Sequence, residues 1–193
     1  MQILSLILFY TFTVGGYFYF SRQPTDIHFL TSLDRYVPTI PIFIIPYLFA
    51  TVTFIAIPIF LYIKLDFSKT KIYLLAQTIA SLISYIIFYT FPTSVIRELI
   101  NGDGVFDNAL RWLHTADRAS AAFPSGHVFQ SIIIGYFLWK YFPKSKPYIL
   151  IILPLIIVST VFLKQHYIPD IFGGIAVAII AIFISRNFIQ VQL

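Results

Sequence analysis

The chain has no cysteine in its 193 residues, which excludes disulfides and thiolate-ligated metals. Charge is scarce as well. Only 11% of residues are Asp, Glu, Lys or Arg, less than half of the roughly one quarter usual in soluble domains. A soluble globular fold is therefore excluded. No internal repeat, low-complexity tract or flexible linker divides the sequence, so residues 1–193 read as one domain. The first apolar run lacks a basic segment before it and an Ala-x-Ala-like site after it, so it reads as a retained helix and not a signal peptide. What is present is apolar: 59% hydrophobic residues, with 21 Phe and 13 Tyr suited to lipid contact and interfacial belts. Mean hydropathy is +0.85. The net charge of +5 calls for no nucleic-acid partner, because Lys and Arg retained in loops beside a membrane account for it.

A membrane span takes about 20 mostly apolar residues. Six candidates appear, at about 2–20, 40–63, 72–91, 127–142, 148–163 and 168–185. The expected fold class is an all-α membrane protein, a six-transmembrane-helix bundle. The fourth and fifth runs are short, which points to tilt or to a partly sunken site. Pro41, Pro46, Pro58 and Pro154 fall inside the runs and are expected to kink helices. Lys64, Lys69 and Lys71 share one short loop, Lys140, Lys144 and Lys146 another, and Arg186 leads the tail. If the helices alternate, these cations lie on one side, which the positive-inside rule makes cytoplasmic. Both termini then face the cytoplasm, and loops 21–39 and 92–126 face out from the inner membrane.

That topology gathers unusual polar residues at the extracytoplasmic ends of helices 3–6. Helix 3 ends in FPTSVIRE, bringing Pro92, Thr93 and Arg97. Helix 4 begins with FPSGH, bringing Ser125, Gly126 and His127. Helix 5 ends in STVFLKQH, bringing Ser159, Thr160, Lys164 and His166, and helix 6 begins with YIPDIFGG, bringing Asp170, Gly173 and Gly174. Ser125 suits an N-cap, and Gly126 lets backbone come close to a ligand. Free N–H groups at a helix start form an anion site, and phosphate is the obvious anion at a membrane surface. His127, in the first turn, is placed to donate a proton to a leaving oxygen. His166 and Asp170 lie four apart, close enough for the carboxylate to accept one ring N–H, fix the tautomer and leave the other nitrogen as a nucleophile. Arg97, Lys164 and Thr160 are candidates for a phosphoryl group's oxygens, with Arg118 as a further cation. Arg111 and Arg118 are expected to pair with Asp107 and Asp117, and His28 and His114 read as surface residues.

FPSGH followed by HYIPD resembles the membrane branch of the type 2 phosphatidic acid phosphatase/haloperoxidase superfamily. That pattern is Pro-Ser-Gly-His, then Ser-Arg, five residues, His, three residues, Asp. Ser159, His166 and Asp170 match its spacing, while Thr160 stands in the Arg position. Ser159-Thr160, the stretch QHYIPDIFGG, FPT at 91–93 and LDRYVPTIP at 33–41 look closest to the inositol phosphorylceramide synthase-like, inositolphosphotransferase group. The superfamily's first motif, a Lys followed by Arg-Pro, has no counterpart, and Gly126 stands where that group more often has Leu.

The resemblance implies a phosphatase or phosphotransferase acting on a membrane lipid such as phosphatidate, a prenyl diphosphate or a phosphoinositide. It makes His166 the nucleophile that becomes phosphohistidine, Asp170 its partner and His127 the acid. Ser125, Gly126, Arg97, Lys164 and Thr160 hold the phosphate, with no cofactor and no metal. The second nucleophile is water or a hydroxyl of a lipid or sugar. A non-catalytic scaffold or transporter that keeps an anion site is the rival reading. Ionisable groups gathered at helix ends on one face argue against transport.

Overall fold

The computed structural model describes residues 2–20, 22–23 and 25–190, so Ser21 and Pro24 of the first loop fall outside it. Among the described residues the fold is helical, with a lone antiparallel bridge between Ser94 and Ser120. The helices are α1 (Gln2–Tyr10), continued through a π-helical turn into α2 (Gly16–Phe20), α3 (Ile44–Lys64), α4 (Phe67–Thr90), α5 (Val105–Ala116), α6 (Gly126–Tyr141), α7 (Lys146–Phe162) and α8 (Ile168–Gln190).

Among the described residues four stretches are long and apolar enough to cross a membrane: Pro41–Lys64, Phe67–Thr90, Pro143–Phe162 and Ile168–Asn187. The stretch Leu4–Phe20 and α6, with 16 residues, are shorter apolar helices. The surface follows the same logic. Leu8, Val52, Ile63, Ile86, Ile151, Phe172 and Phe183 are all exposed on these helices, an arrangement that water would penalise and lipid would not.

Helices α4, α6 and α8 form the centre. Ala76 and Ala80 of α4 and Ala178 and Ala181 of α8 are buried together, and residues this small let two backbones approach closely. Phe129, Ile133 and Phe137 of α6 fill the same cluster.

Helix starts follow from local chemistry. Asp66 caps α4 by accepting from the Lys69 N–H at 2.9 Å, and Asp107 accepts from the Gly104 N–H at the head of α5. Of the four prolines expected to kink spans, Pro58 and Pro154 lie inside helices. Pro41 instead opens a 3-10 turn, and Pro46 sits in the first turn of α3, where no i−4 carbonyl awaits its missing N–H. Helix α5, inside the loop 92–126, was not foreseen. It buries Leu110 and Leu113 and leaves Val105 and Trp112 exposed.

Candidate active site

The turn between α7 and α8 is built to present a histidine. After α7, the Thr160 carbonyl accepts from the N–H groups of both Gln165 and His166, each at 3.0 Å. Lys164 takes a left-handed φ of 52° to make that reversal. The next turn is a reciprocal cap: the Tyr167 N–H donates to Asp170 Oδ2 (2.8 Å), and the Asp170 N–H donates back to the Tyr167 carbonyl (3.0 Å). A second carboxylate arrives from far along the chain. Asp34, buried in the first loop, accepts from the Ile168 N–H at 2.7 Å while Thr31 holds its other oxygen. Two carboxylates therefore sit at the positive end of α8.

The FPSGH segment is fixed against that turn. The Ala122 N–H donates to the Thr93 carbonyl and the Phe123 N–H to Thr93 Oγ1, so the buried Thr93 holds the strand-like approach. The Ser125 N–H donates to the Asp170 carbonyl (3.0 Å), and Ser125 Oγ accepts from the Val128 N–H as the N-cap of α6. Two glycines permit this docking. A Cβ at Gly174 would lie 2.8 Å from the Ser125 carbonyl oxygen, and one at Gly173 would strike the Phe123 ring at 2.5 Å. At Gly126 a Cβ would meet nothing nearer than 3.9 Å among the described residues beyond its chain neighbours and its own helix backbone, so there is space beside that residue. The first-turn N–H groups of Gly126 and His127 have no i−4 carbonyl within their helix.

These contacts bring the His166 Nδ1 to 2.8 Å from the Ala122 carbonyl and 3.5 Å from Asp170 Oδ2. The shorter contact sets the tautomer. Nδ1–H donates to the backbone, and Asp170 adds negative charge alongside instead of fixing the ring as expected. Nε2 of His166 has no hydrogen-bond partner among the described residues, and Asp170 Oδ1 is buried without one. Ala121, next to the accepting carbonyl, has φ of 60°. A non-glycine residue in that region costs roughly 1–3 kcal/mol, and here two such residues, Ala121 and Lys164, flank the pair that meets.

The second imidazole lies opposite. The His127 ring stacks on Tyr47 (centroids 4.0 Å apart, planes at 22°), tilts against Phe54 at 5.2 Å, and is 6.5 Å from the His166 ring. His127, His166, Asp170 and Ser125 are thus together. The rings are apart by about the width of one small tetrahedral group, the order of separation that near-attack distances of ~3–3.5 Å require.

The other expected phosphate ligands are placed differently. Arg97 donates through Nη1 to the carbonyls of His114 and Asp117 (2.6 Å each) and through Nη2 to Gln165 Oε1 (2.7 Å). Burial pushes its pKa below the ordinary value, and Asp117 opposes that. Lys164 donates to the Val37 carbonyl at 2.6 Å and pairs with Glu98 at 3.1 Å. The Thr160 hydroxyl donates to the Ile157 carbonyl of its own helix, so its backbone carbonyl, and not its side chain, serves the turn. Arg118 is exposed.

Three expectations for the outer loops are corrected. Arg111 reaches Asp103, not Asp107, which caps α5, and Asp117 accepts from the Tyr17 hydroxyl (2.7 Å). His114 is half-buried, with Nε2–H donating to the Leu163 carbonyl, and burial holds it below the usual imidazole pKa. His28 is exposed as expected, but it contacts the Ser94 carbonyl. Sequence reasoning placed Thr93 at this end of the bundle but missed Asp34, Tyr47, Thr51 and Gln165. The loop 33–41 had drawn notice only for its resemblance.

Comparison with known proteins gives the family. The family model described as the PAP2 superfamily matches residues 35–184. The chain belongs to the PAP2 superfamily. Phosphatidylglycerophosphatase B of Bacillus subtilis (strain 168) is similar at 32% identity over 81 residues, 36% of this chain and 40% of that protein. The chain therefore spans about two fifths of the length of the curated relative it matches. The crystal structure of Aquifex aeolicus LpxE shares the fold, with a TM-score of 0.57 and 19% identity over 95% of each chain. With four spanning-length apolar helices, this PAP2 member is an integral membrane protein.

Proposed function

We propose that this PAP2 chain is a lipid-phosphate phosphatase working through a phosphohistidine at His166. The observation that carries the reading is the Nδ1 bond to the Ala122 carbonyl, which leaves Nε2 unengaged with a second imidazole 6.5 Å away. The His166 Nε2 lone pair attacks phosphorus, an N–P bond forms, and the bond to the lipid oxygen breaks. His127 gives that oxygen its proton. Water then attacks the phosphohistidine, His127 takes a proton back, and inorganic phosphate leaves. Asp170 stabilises the positive ring of the intermediate. The first-turn amides of Gly126 and His127, beneath the Ser125 cap, receive the phosphoryl oxygens. Arg97, Lys164 and Thr160 join them only on leaving their present partners.

The similarity to phosphatidylglycerophosphatase B supports a glycerophospholipid phosphate as substrate, with phosphatidate and prenyl diphosphates as further members of the class. Transfer to a lipid or sugar hydroxyl uses the same intermediate, and the resemblance of residues 159–174 to the inositolphosphotransferase group is the reason to include an acceptor alcohol in any assay. We place six spans, counting Leu4–Phe20 and α6, in the inner membrane with the site on the extracytoplasmic side.

The test is release of phosphate from phosphatidylglycerophosphate, phosphatidate and a prenyl diphosphate in detergent, with and without acceptor alcohol and with and without EDTA. His166→Ala should lower the rate by about a thousandfold or more, the usual cost of removing a nucleophile. Acid-labile label from a radioactive lipid phosphate should appear on the normal chain and not on the variant. Full activity in His166→Ala would favour the non-catalytic reading, and loss of activity on chelation would favour a metal enzyme.

A further inference from the structure

Among the described residues, Thr51 is the one polar group set against the Nε2 nitrogen of His127. Its Oγ1 lies 3.3 Å from His127 Nε2 and 3.3 Å from the Tyr47 carbonyl one helical turn back. A threonine hydroxyl has one proton and two lone pairs. With that proton given to the Tyr47 carbonyl, Thr51 Oγ1 accepts, and the ring N–H at Nε2 donates to it. The proton destined for the leaving oxygen is therefore carried on Nε2 and held against an oxygen already standing where a departing oxygen has to stand. Tyr47 stacked on the ring and Phe54 tilted against it keep it from swinging away. All three residues lie on one face of α3, at i, i+4 and i+7.

Thr51 is also exposed, inside a span. One and two turns further along α3, on the same line, stand Ile55 (56% exposed) and Ile59 (42% exposed). An apolar stripe thus begins at the proton donor and runs down the outside of the helix toward mid-bilayer. We infer that Thr51 is a positioning residue that holds the His127 proton for the leaving group and yields its place to the leaving oxygen, and that the apolar chain of that leaving group lies along Ile55 and Ile59 in the lipid. The inference rests on the phosphatase reading. It deepens that reading by specifying the leaving group as a lipid alcohol that remains in the bilayer beside α3.

The experiment compares two substrates in the detergent-solubilised protein. One is a long-chain alkyl phosphate, whose alkoxide needs protonation to depart. The other is 4-nitrophenyl phosphate, whose phenolate departs without it. Thr51→Val keeps shape and should fold, because the position is exposed. It should lower kcat for the alkyl ester about tenfold, a fraction of the 10²–10⁴ carried by a positioned acid, and change the nitrophenyl rate less than about twofold. Thr51→Ser should restore the alkyl rate. In the second arm, Ile55→Asn should raise KM for a long-chain ester several-fold and leave a short-chain ester unchanged. Equal losses on both substrates, or none, would overturn the role of Thr51, and chain-independent KM would overturn the route. If the unmodified protein releases no phosphate from any ester, the phosphatase reading itself has failed, which the variants alone cannot mimic.

Discussion

The two imidazoles and the two nearest cations make opposite use of their hydrogen-bonding capacity. Among the described residues His166 has one nitrogen occupied by the Ala122 carbonyl and the other unengaged, and Ser125 spends its hydroxyl on a cap, while the amides beyond it have no i−4 carbonyl within the helix. Arg97 and Lys164, by contrast, spend their donors on the protein: carbonyls of His114, Asp117 and Val37, the Gln165 amide oxygen and Glu98. The proposed nucleophile is preorganised, and the positive charge is engaged elsewhere. Charge that must first leave a partner gives up part of its interaction energy on substrate binding. Substitutions on the two sides should therefore fail in different ways.

On the histidine side the largest effect after loss of His166 itself belongs to Asp170→Asn. Asparagine keeps an oxygen for the Tyr167 N–H and remains a competent cap, so the fold should persist. The tautomer should persist as well, because the Ala122 carbonyl and not the carboxylate sets it. What disappears is the negative charge 3.5 Å from Nδ1, which in the proposed mechanism steadies the phosphorylated ring. Where a carboxylate alone fixes the tautomer, its amide variant loses about 10⁴-fold. Here we expect the smaller loss of about a hundredfold in kcat, with KM nearly unchanged, measured by initial rates. A full 10⁴-fold fall would mean that Asp170, and not Ala122, orients His166.

On the cationic side, Arg97→Lys separates support from recognition. Lysine lacks the planar fork that lets one guanidinium reach two carbonyls and an amide oxygen. Hydrogen bonds to charged groups are worth about 1.5–3 kcal/mol, so the variant should lower the apparent melting temperature in detergent by about 5 °C. Inhibition by inorganic phosphate should change less than about threefold if Arg97 braces the end of α5 and the Gln165–His166 turn. A large loss of phosphate affinity at normal stability would make it a direct ligand and erase the contrast between the two sides.

How much of this was legible before folding depends on the range of each contact. Pro-Ser-Gly-His and the His-x-x-x-Asp spacing are local: a cap, a first turn and a four-residue offset carry their chemistry in the order of the letters. Asp34 reaches Ile168 across 134 positions, and Thr93 reaches Phe123 across 30. No periodicity marks either, because helix packing alone creates the contact. Tyr47 and Thr51 read as ordinary residues of an apolar run until α3 lies beside α6. The cations were legible as charge but not as partners, since a sequence shows that Arg97 and Glu98 are adjacent and cannot show that Glu98 pairs instead with the distant Lys164. The spans were legible by length only in part: of the two runs that looked short, 127–142 forms the 16-residue α6, whereas 148–163 falls in the spanning-length stretch Pro143–Phe162, and 2–20, expected to span, gives the shorter helix Leu4–Phe20.

The smallest expected effect is the most direct probe of the engaged charge. Glu98 pairs with Lys164 and accepts from the Thr39 hydroxyl at 2.6 Å, and that hydroxyl bond first, with Lys164 behind it, holds its pKa below the usual glutamate value. A carboxylate with a depressed folded pKa contributes stability above its unfolded pKa and loses it as pH falls through the folded one. The pair therefore stays closed at neutral and mildly acidic pH and opens only below the ordinary glutamate range, outside any window set by two working histidines. Glu98→Gln opens it at every pH. The Glu98 side chain is largely exposed, so solvent screening limits the pair to about 0.2–1 kcal/mol, which caps the gain at about fivefold in KM. Glu98→Gln should lower KM for a lipid phosphate by up to that factor and leave kcat unchanged, since Lys164 would be released toward the phosphoryl oxygens without touching the histidines. A raised KM would show that Glu98 holds Lys164 in its working position, and the cationic side would then be as preorganised as the other.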